Sequence, residues 1–411
     1  MIDSIHKRFV DGTHRAIAPE ETLARVTPML GAMGVTRVAN ITGLDRLDVP
    51  VVAVHRPNAR SLSVTQGKGL SLVAAKVSAI MEAIESFHAE RIVRPLKHAT
   101  YNDLRFTHEV VDVGRLPRLS VSTFHENQRM LWVEGHDLLS RKPAWVPYEM
   151  VHTDFTLPLP PGSGCFVMSS NGLASGNHPL EAICHGICEV VERDATTLFR
   201  RTPAAEQRLV ELTSVDDPSC QELFERLYRA DIALGVWDAT SDVGIPCFIC
   251  SIVDRRDDPF RPMYANQGMG CHPAREIALL RAVTEAAQSR LTFITGSRDD
   301  ADRERYRHVR SPGFVARWRA RILSANSRRV HYHSVPSFRH ERLDEDVALA
   351  CQKLAAIGIE EVVAVDLMRD EFEIPVVRVI IPGLEPLDEV PGYRPGLRAL
   401  AAERPATRLS A

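Results

Sequence analysis

The sequence predicts an α+β fold built from repeated units, in each of which a helix is followed by a β-hairpin. Three segments share one layout, in which a β-rich run and a polar turn lead through Val-Pro or Ile-Pro into a second β-rich run: 34–57, 231–254 and 358–383. A helical pattern of apolar residues precedes these segments, at 20–33, 219–230 and 344–357. The prolines open second strands, where a missing N–H is tolerated, so the three units are predicted to fold alike.

Glycine-rich turns that lead into helices form a second repeat. GKGLSLVAAKVSAIMEAIES (67–86) aligns with SGNHPLEAICHGICEVVER (175–193) at a shift of 107 residues, which places Glu82 over Glu189 and Glu85 over Glu192. NQGMGCHPAREIALLRAVTEAAQSR (266–290) follows the same plan without a clean register. The chain is therefore predicted to have three glycine turns, each leading into a helix with acidic and amide groups on its polar side.

The helix predicted within NGLASGNHPLEAICHGICEVVERDATTLF, residues 171–199, has an unusual polar face. Within an arc of about 80° it gathers Glu181, His185, Glu189 and Glu192. A solvated face normally mixes glutamate with lysine at helical spacing, whereas the nearest positive charge here is Arg193. This row of carboxylates indicates a function beyond solubility.

Two other regions are predicted to be structural. Residues 94–165 look β-rich and proline-punctuated, and the arginine-heavy residues 296–343 are typical of solvated helices or loops.

Cys247 and Cys250 form a C-x-x-C inside a predicted strand, without the second pair that a zinc site would need. We interpret both as buried, reduced thiols.

Composition and charge exclude several classes of protein. The 411 residues are 45% apolar and 25% charged, with a formal net charge of −3, which gives no reason to expect nucleic acid as a partner. No apolar run is long enough to span a membrane, and MIDSIHKRFVDGTHR is too polar for a signal peptide, so a cytoplasmic protein is expected.

The predicted organisation is an N-terminal helix and hairpin unit within the same globular body, a catalytic region and a C-terminal tail: residues 1–65, 66–390 and 391–411.

The acidic helices predict a site for cations. General acid–base catalysis usually needs one carboxyl pair, whereas these helices offer six glutamates, and converging carboxylates repel one another unless cations lie among them. Mg²⁺ fits best, because it binds a few carboxylates and completes its shell with water and phosphate oxygens. The alternative interpretation is three separate solvated helix faces.

A nucleoside triphosphate with several Mg²⁺ ions would balance these charges. Arg193 and Arg281 could bind its phosphates, and Asn177, Ser78 and Gln288 could supply neutral hydrogen bonds. The sequence contains no P-loop and no H-E-x-x-H, and GLASG leaves Ser175 as only a weak nucleophile candidate. The residues thus predict an enzyme that uses a nucleoside triphosphate without a P-loop.

Several segments, in chain order, resemble the signature segments of YcaO-domain proteins: SAIMEAIE (78–85), NGLASGNHPLEAICHGICEVVERDA (171–195), RAVTEAAQSR (281–290) and GSRDD (296–300). WVEGHDLLSRKPAWVPYEMV (132–151) and IPGLEP (381–386) are similar to that family as well. The resemblance covers the chain roughly from residue 30 to 390. Because several motifs recur in order, the resemblance is much more specific than any one of them.

The resemblance implies a YcaO-type fold around a central ATP and Mg²⁺ site, and an enzyme that acts on ribosomally made peptides. Such an enzyme phosphorylates a backbone amide oxygen, a nucleophile adds at the amide carbon, and phosphate leaves. Attack by a Cys, Ser or Thr side chain gives an azoline, an amine gives an amidine, and sulfide gives a thioamide. The matching positions imply nucleotide or phosphate binding at Ser78, Asn177, Arg193, Arg281 and Gln288. They imply Mg²⁺ binding at Glu82, Glu85, Glu181, Glu189, Glu192 and Glu285.

The thioamide branch is favoured within the family. GVTRVANITGLDRLDVPVV and MEAIESFHAE resemble members encoded beside TfuA proteins, and the ending AAERPATRLSA lacks the P-x-P-x-P tail of many azoline-forming members. The resemblance implies a precursor peptide or protein as substrate and a TfuA-like partner that delivers sulfur, and it leaves a homodimer open. Two alternatives remain, an azoline-forming cyclodehydratase with a separate partner and a non-catalytic accessory protein. Ser86 stands where many members have arginine, which puts one phosphate contact in doubt.

Overall fold

The helices and strands follow the predicted alternation closely. The computed structural model describes residues 3–256, 258, 264–298, 303–324 and 328–403. The helices are α1 (Pro19–Val26), α2 (Leu72–Glu90), α3 (Tyr101–Leu104), α4 (Pro179–Arg201), α5 (Pro218–Arg229), α6 (Arg275–Thr295), α7 (Arg303–Val309), α8 (Pro312–Leu323), α9 (Leu343–Ala356) and α10 (Leu397–Ala402). The strands are β1 (Arg37–Asn40), β2 (Val51–His55), β3 (Val64–Lys68), β4 (Leu96–Ala99), β5 (Met130–Asp137), β6 (Pro143–Pro147), β7 (Leu173–Ser175), β8 (Arg208–Val210), β9 (Ile232–Asp238), β10 (Cys247–Asp254), β11 (Ala265–Cys271), β12 (Arg328–Val330), β13 (Val363–Asp366) and β14 (Val376–Ile380).

The α+β fold of repeated helix-plus-hairpin units is confirmed. Helices α1, α5 and α9 precede the antiparallel hairpins β1–β2, β9–β10 and β13–β14. In each unit a third antiparallel strand extends the hairpin, namely β3, β11 or β7. These third strands lead into α2, α6 and α4, so each acidic helix follows the edge of its own hairpin. In the last unit, β7 and α4 come earlier in the chain than the hairpin they join.

The glycines of the third strands allow the strand and the following helix to touch through their backbones. A Cβ added to Gly67 on β3 would lie 1.9 Å from the backbone nitrogen of Ala79 on α2. On β11, a Cβ at Gly268 would lie 2.2 Å from the backbone nitrogen of Ala286 on α6. No side chain fits at such distances, so these glycines fix where the polar faces of α2 and α6 point.

Apolar faces anchor the same helices. Helix α2 buries Ile80 and Ile84, and α4 buries Ile187 and Val191. Complete burial of such side chains contributes about 1.5–3 kcal/mol each. Ser71 caps the start of α2 by accepting a hydrogen bond from the Ala74 N–H. The glutamates lie away from these core positions, which leaves them free to face one another.

The two regions predicted to be structural behave differently. Residues 94–165 contain the antiparallel strands β4, β5 and β6 together with long irregular segments. The arginine-heavy region forms α7 and α8, and α8 buries Val315 and Ile322 rather than being solvated throughout, while residues 299–302 and 325–327 lie outside the described residues. Both cysteines of the C-x-x-C are buried, free thiols on β10. None of the helices in the described ranges is long and apolar enough to cross a membrane.

Candidate functional site

Helices α2, α4 and α6 bring five glutamates into one electrostatic network. Glu85 on α2 interacts with the charges of Glu82 and Glu189, and Glu192 on α4 interacts with those of Glu285 and Glu189. Glu189 and Glu285 are separated by almost a hundred residues along the chain, yet both act on Glu192. The structure thus places these glutamates in one site rather than on separate solvated faces.

Burial and mutual repulsion make these carboxylates hard to ionise. Burial raises the pKa of Glu85 to about 8, and the neighbouring charges of Glu82 and Glu189 add to that effect. Burial likewise raises the pKa of Glu82 to about 7 and that of Glu192 to about 7, although nearby arginines oppose the shift. Carboxylates held together against this cost are typical of a site that binds cations.

Two cationic side chains, Arg193 and Lys68, form ion pairs with these glutamates. Arg193 approaches Glu192 at 3.2 Å and Glu189 at 3.6 Å, and these carboxylates hold the pKa of Arg193 above its usual value although burial opposes this. Lys68 at the end of β3 lies 2.8 Å from Glu285. Burial alone would raise the pKa of Glu285, but Lys68 and Arg193 hold it below its usual value. Sequence reasoning missed Lys68, whose only signal is its place inside the glycine turn GKG.

Further polar groups face this network with unused hydrogen-bonding capacity. Arg281 donates from Nη2 to His185 Nε2 at 2.9 Å, while its buried Nε has no partner among the described residues. Gln288 donates to the Gln66 carbonyl at 2.7 Å, and its buried Oε1 likewise has no partner in the described ranges. Burial and the neighbouring cations keep His185 neutral by lowering its pKa, so its Nε2 can accept from Arg281. The unused Arg281 donor suits a phosphate oxygen, and the unused Gln288 oxygen can accept from a hydroxyl or from a water bound to a metal ion.

Glu181 and Asn177 lie at the other end of α4. The Ala16 N–H donates to Glu181 at 2.8 Å, and Arg15 lies 3.5 Å from the same carboxylate. The Asn177 side chain donates to the Thr22 hydroxyl at 3.0 Å. Eight residues of helix separate Glu181 from Glu189, which is about 12 Å. Both residues hold the N-terminal segment in place here, and their predicted metal and nucleotide roles stay predictions.

Three serines have distinct places. Ser78 lies on α2 one turn before Glu82 and is half-buried beneath the Gly67 backbone. The backbone N–H and the hydroxyl of Ser175 donate to Glu85 at 2.8 and 2.7 Å, so Ser175 orients this carboxylate and its hydroxyl is already engaged. Ser86 donates to the Glu82 carbonyl at 3.1 Å, and the cation that acts most strongly on Glu82 is Arg298. Arg298 therefore supplies positive charge at Glu82, four residues before Ser86 on the same helix.

A compact His14, His272 and Asp346 group does not have the chemistry of a metal site. Its ligand atoms lie within 4.8 Å of one another. However, Lys7 already forms a buried ion pair with Asp346 at 2.6 Å. The Ala274 N–H donates to His272 Nδ1 at 3.0 Å, which leaves the proton of the neutral ring on Nε2 and removes the lone pair that a metal would need. This group is a structural cluster in which Asp346 is buried and His14 is partly buried.

A cavity of about 410 Å³ lies away from the glutamates, between the C-terminal half of α4 and α10. The two arginines that line it are already paired, because Arg208 lies 2.9 Å from Asp238 and Arg398 lies 2.5 Å from Asp242. A nucleotide would find no unbalanced positive charge at these pairs. The network of glutamates is therefore the stronger candidate for a nucleotide site.

Binding of Mg²⁺ with a non-hydrolysable ATP analogue is expected to release protons around pH 7, because carboxyls must ionise to hold cations. The pKa values of Glu82, Glu85 and Glu192, raised to about 7, 8 and 7, lie above those of free carboxyls, so the uncomplexed protein retains protons that the complex loses. Affinity should accordingly rise as the pH increases from about 6 to 8. Calorimetry in buffers of different ionisation enthalpy counts these protons.

The matched control for this measurement is Glu85→Gln, which should release about one proton fewer than the native protein. The analogue itself contributes the same protons in both titrations. Equal proton release by the two proteins would show that Glu85 does not titrate on binding.

Comparison with known proteins identifies relatives across most of the chain. The profile of the YcaO family, described as YcaO cyclodehydratase, ATP- and Mg²⁺-binding, matches residues 66–385. A protein of Rhizobium leguminosarum bv. trifolii, encoded in the tfuA 3′ region, is 37% identical over 379 residues, which cover 90% of this chain and 88% of that protein. A Methanothermobacter thermautotrophicus protein is 35% identical over 384 residues, which cover 90% and 95%.

Solved structures share the fold. YcaO from Methanopyrus kandleri, bound with AMPPCP and Mg²⁺, matches with a TM-score of 0.74 at 23% identity, covering 95% of this chain and 98% of its own. A heterocyclase in complex with substrate and cofactor matches with a TM-score of 0.77 at 22% identity, covering 94% of this chain and 54% of its own. The chain belongs to the YcaO family, whose domain binds ATP and Mg²⁺. Its relative in the tfuA region supports the TfuA-associated type.

Proposed function

We propose that this protein uses ATP and Mg²⁺ to phosphorylate a backbone amide oxygen of a ribosomally made peptide or protein, and that sulfide then attacks to give a thioamide. The observation that carries the first part is the gathering of five glutamates from α2, α4 and α6 around Lys68 and Arg193. An acidic network that is costly to ionise, with arginines at its edge, suits a phosphoryl-transfer site.

Different residues of the chain are proposed to bind the metal ions and the nucleotide. Mg²⁺ would neutralise charge on the phosphate oxygens and align them for transfer. The ligands proposed to hold it are Glu82, Glu85, Glu189, Glu192 and Glu285, with Glu181 as a sixth candidate. Arg193 and Arg281 are proposed to bind phosphate oxygens, because guanidinium groups match their geometry. Ser78, Asn177 and Gln288 are proposed to hydrogen-bond the nucleotide.

Lys68 is proposed to keep Glu285 ionised until the metal arrives. Its ammonium lies 2.8 Å from that carboxylate and contributes to the lowered pKa of Glu285. Ser175 has a comparable positioning role at Glu85, since both of its donors point to one oxygen. Lys68 and Ser175 are thus proposed to position the metal ligands Glu285 on α6 and Glu85 on α2 without binding metal themselves.

The choice of sulfide rests on the relatives rather than on the nucleotide site. A relative 37% identical to this chain is encoded in the tfuA 3′ region, which supports a TfuA-like protein as the partner that delivers sulfur. Azoline formation is the second candidate, because the family description names cyclodehydratases and one structural relative is a heterocyclase. In both reactions the activated amide carbon accepts the nucleophile that is held in line with it.

The product distinguishes these reactions. With ATP, Mg²⁺, free sulfide and a peptide encoded beside its gene, the purified enzyme is expected to yield a product heavier by the difference between sulfur and oxygen. An isotopic label in the amide oxygen should appear in the released phosphate, and the nucleotide should end as ADP. High-resolution mass spectrometry reads both results. Loss of water without gain of sulfur would replace thioamide formation with cyclodehydration, and unlabelled phosphate would contradict amide phosphorylation itself.

A further inference from the structure

Arg378 is a buried arginine next to the glutamate network. It lies on β14, where it pairs in register with Leu173 of β7, and its exposed fraction is 1%. Its Nη2 donates to the Ser169 carbonyl at 2.6 Å, whereas its buried Nε and Nη1 have no hydrogen-bond partner in the part of the chain that the structure describes. Burial lowers the pKa of Arg378 to about 10, and the charge that opposes this shift is that of Glu189.

Burial of a guanidinium group with only one hydrogen-bonded nitrogen destabilises the folded protein. Arginine side chains in protein interiors are normally paired with a carboxylate or fully hydrogen-bonded, because the charge loses its hydration. No carboxylate of the described residues forms an ion pair with Arg378. A leucine would fill a core position on this strand without that cost, so Arg378 indicates a group that binds there during function.

A small cavity lies at the guanidinium and carries a second unused polar atom. It has a volume of about 30 Å³, and its walls include Asn171, Val190, Arg378 and Pro386. The buried Oδ1 of Asn171 has no hydrogen-bond partner among the described residues. Arg378, which lines this cavity, interacts with the charge of Glu189, so the cavity adjoins the glutamate site. Unused donors and an unused acceptor therefore share one cavity.

The donors of Arg378 and the acceptor oxygen of Asn171 together determine which kind of ligand can bind in this cavity. A phosphate or carboxylate would suit Arg378 but would be repelled by the Asn171 oxygen, which is an acceptor. The cavity has room for single polar groups of a ligand, such as a carbonyl oxygen or an N–H, and is too small for a nucleotide or a large side chain. A peptide group suits both partners, because its carbonyl accepts from arginine and its N–H donates to the amide oxygen.

We propose that Arg378 and Asn171 hold main-chain peptide groups of the substrate, with a carbonyl against Arg378 and an N–H against Asn171, beside the glutamates that hold the metal ions. This inference rests on the proposed function, since it gives the peptide a binding site at the metal centre. Recognition through main-chain groups does not depend on the substrate side chains. Arg378 and Asn171 are thus positioning residues that set the register of the peptide.

The test uses the full-length protein with nitrogen-labelled arginine, in which a buried Nε–H gives its own resonance. Arg378→Lys assigns that resonance by removing it. Acetyl-triglycine dimethylamide is titrated at millimolar concentration beside its sarcosine counterpart, which keeps the carbonyls and lacks the glycine N–H donors. The triglycine should shift the Arg378 resonance, and the sarcosine peptide should bind about fivefold more weakly because one hydrogen bond is lost. In Asn171→Ala the two peptides should bind equally.

Two results would overturn the proposal. In the first, neither peptide shifts the Arg378 resonance. A shift by inorganic phosphate would then identify the occupant as an adventitious anion only, and no shift by phosphate would leave a bound water. In the second, both peptides bind equally to the native protein, which would exclude a hydrogen bond from the peptide N–H to Asn171. If Arg378→Lys does not fold, crystals of the native protein soaked in triglycine show whether a carbonyl lies against Arg378. Titration with Mg²⁺ and AMPPCP, read on the other arginine resonances, tests the nucleotide site independently.

Discussion

Glu189→Gln is expected to lower ATP turnover about a thousandfold while leaving the protein folded. Glutamine keeps the size of the side chain but loses the charge that binds a cation. Removal of one metal ligand should cost about 4 kcal/mol of transition-state stabilisation, which corresponds to about a thousandfold in rate. Glu192→Gln is expected to behave in the same way. Steady-state release of phosphate measures both variants.

The fold should survive these changes for electrostatic reasons. The pKa of Glu192 is raised to about 7 by burial, so its neutral form is already accessible in the folded protein. The oxygen of glutamine can still accept the hydrogen bond that the Cys271 N–H donates to Glu192 at 3.0 Å. Glu225→Gln on the exposed face of α5 is the matched control and should leave turnover unchanged. Full ATPase activity in both site variants would mean that these carboxylates do not hold a metal ion needed for turnover.

Arg193→Leu is expected to destabilise the protein in the absence of metal. The variant would leave Glu192, Glu189 and Glu285 without the cation that they share. Loss of one partner from a largely buried pair should lower the free energy of unfolding by about 3 kcal/mol. Addition of Mg²⁺ with AMPPCP should restore part of the lost stability, because metal ions supply the missing positive charge. Thermal unfolding with and without the complex measures both effects.

The matched control is Arg226→Leu on α5. Arg226 also pairs with a glutamate four residues earlier, but that glutamate, Glu222, is 62% exposed. A solvated pair contributes little, so the control should lose less than about 1 kcal/mol and should not respond to the metal complex through this pair. Similar losses in the two variants, or no response of Arg193→Leu to Mg²⁺, would contradict the role of Arg193 in balancing the glutamates.

The repeats made much of the fold predictable from the sequence. The shift of 107 residues that aligns Glu82 with Glu189 corresponds in the structure to two helices that each follow a third strand of a hairpin. The Val-Pro and Ile-Pro steps lie one residue before the second strands, as expected for residues that cannot donate to a ladder. Local patterns of this kind are set by side-chain period and turn chemistry, and both are visible in a single sequence.

Other features depend on contacts that the sequence does not show. The pairing of β7 with β14 joins segments about two hundred residues apart, and no local pattern marks it. Arg378 lies within the apolar strand β14 and Lys68 at the polar end of β3, and in neither place does the sequence indicate which side chain the cation faces. Glu181 shares the helical face of Glu189, but the N-terminal segment engages its carboxylate, which helical spacing cannot reveal.

The central claim is that the glutamates of α2, α4 and α6 hold divalent cations together with ATP. A crystal structure with AMPPCP and Mn²⁺, located by its anomalous scattering, tests it most directly. We expect metal peaks about 2 Å from carboxylate oxygens of Glu82, Glu85, Glu189, Glu192 and Glu285, with the triphosphate reaching Arg193 and Arg281. Metal ions bound away from Glu189 and Glu192, or a nucleotide seated in the cavity beside α10, would contradict it.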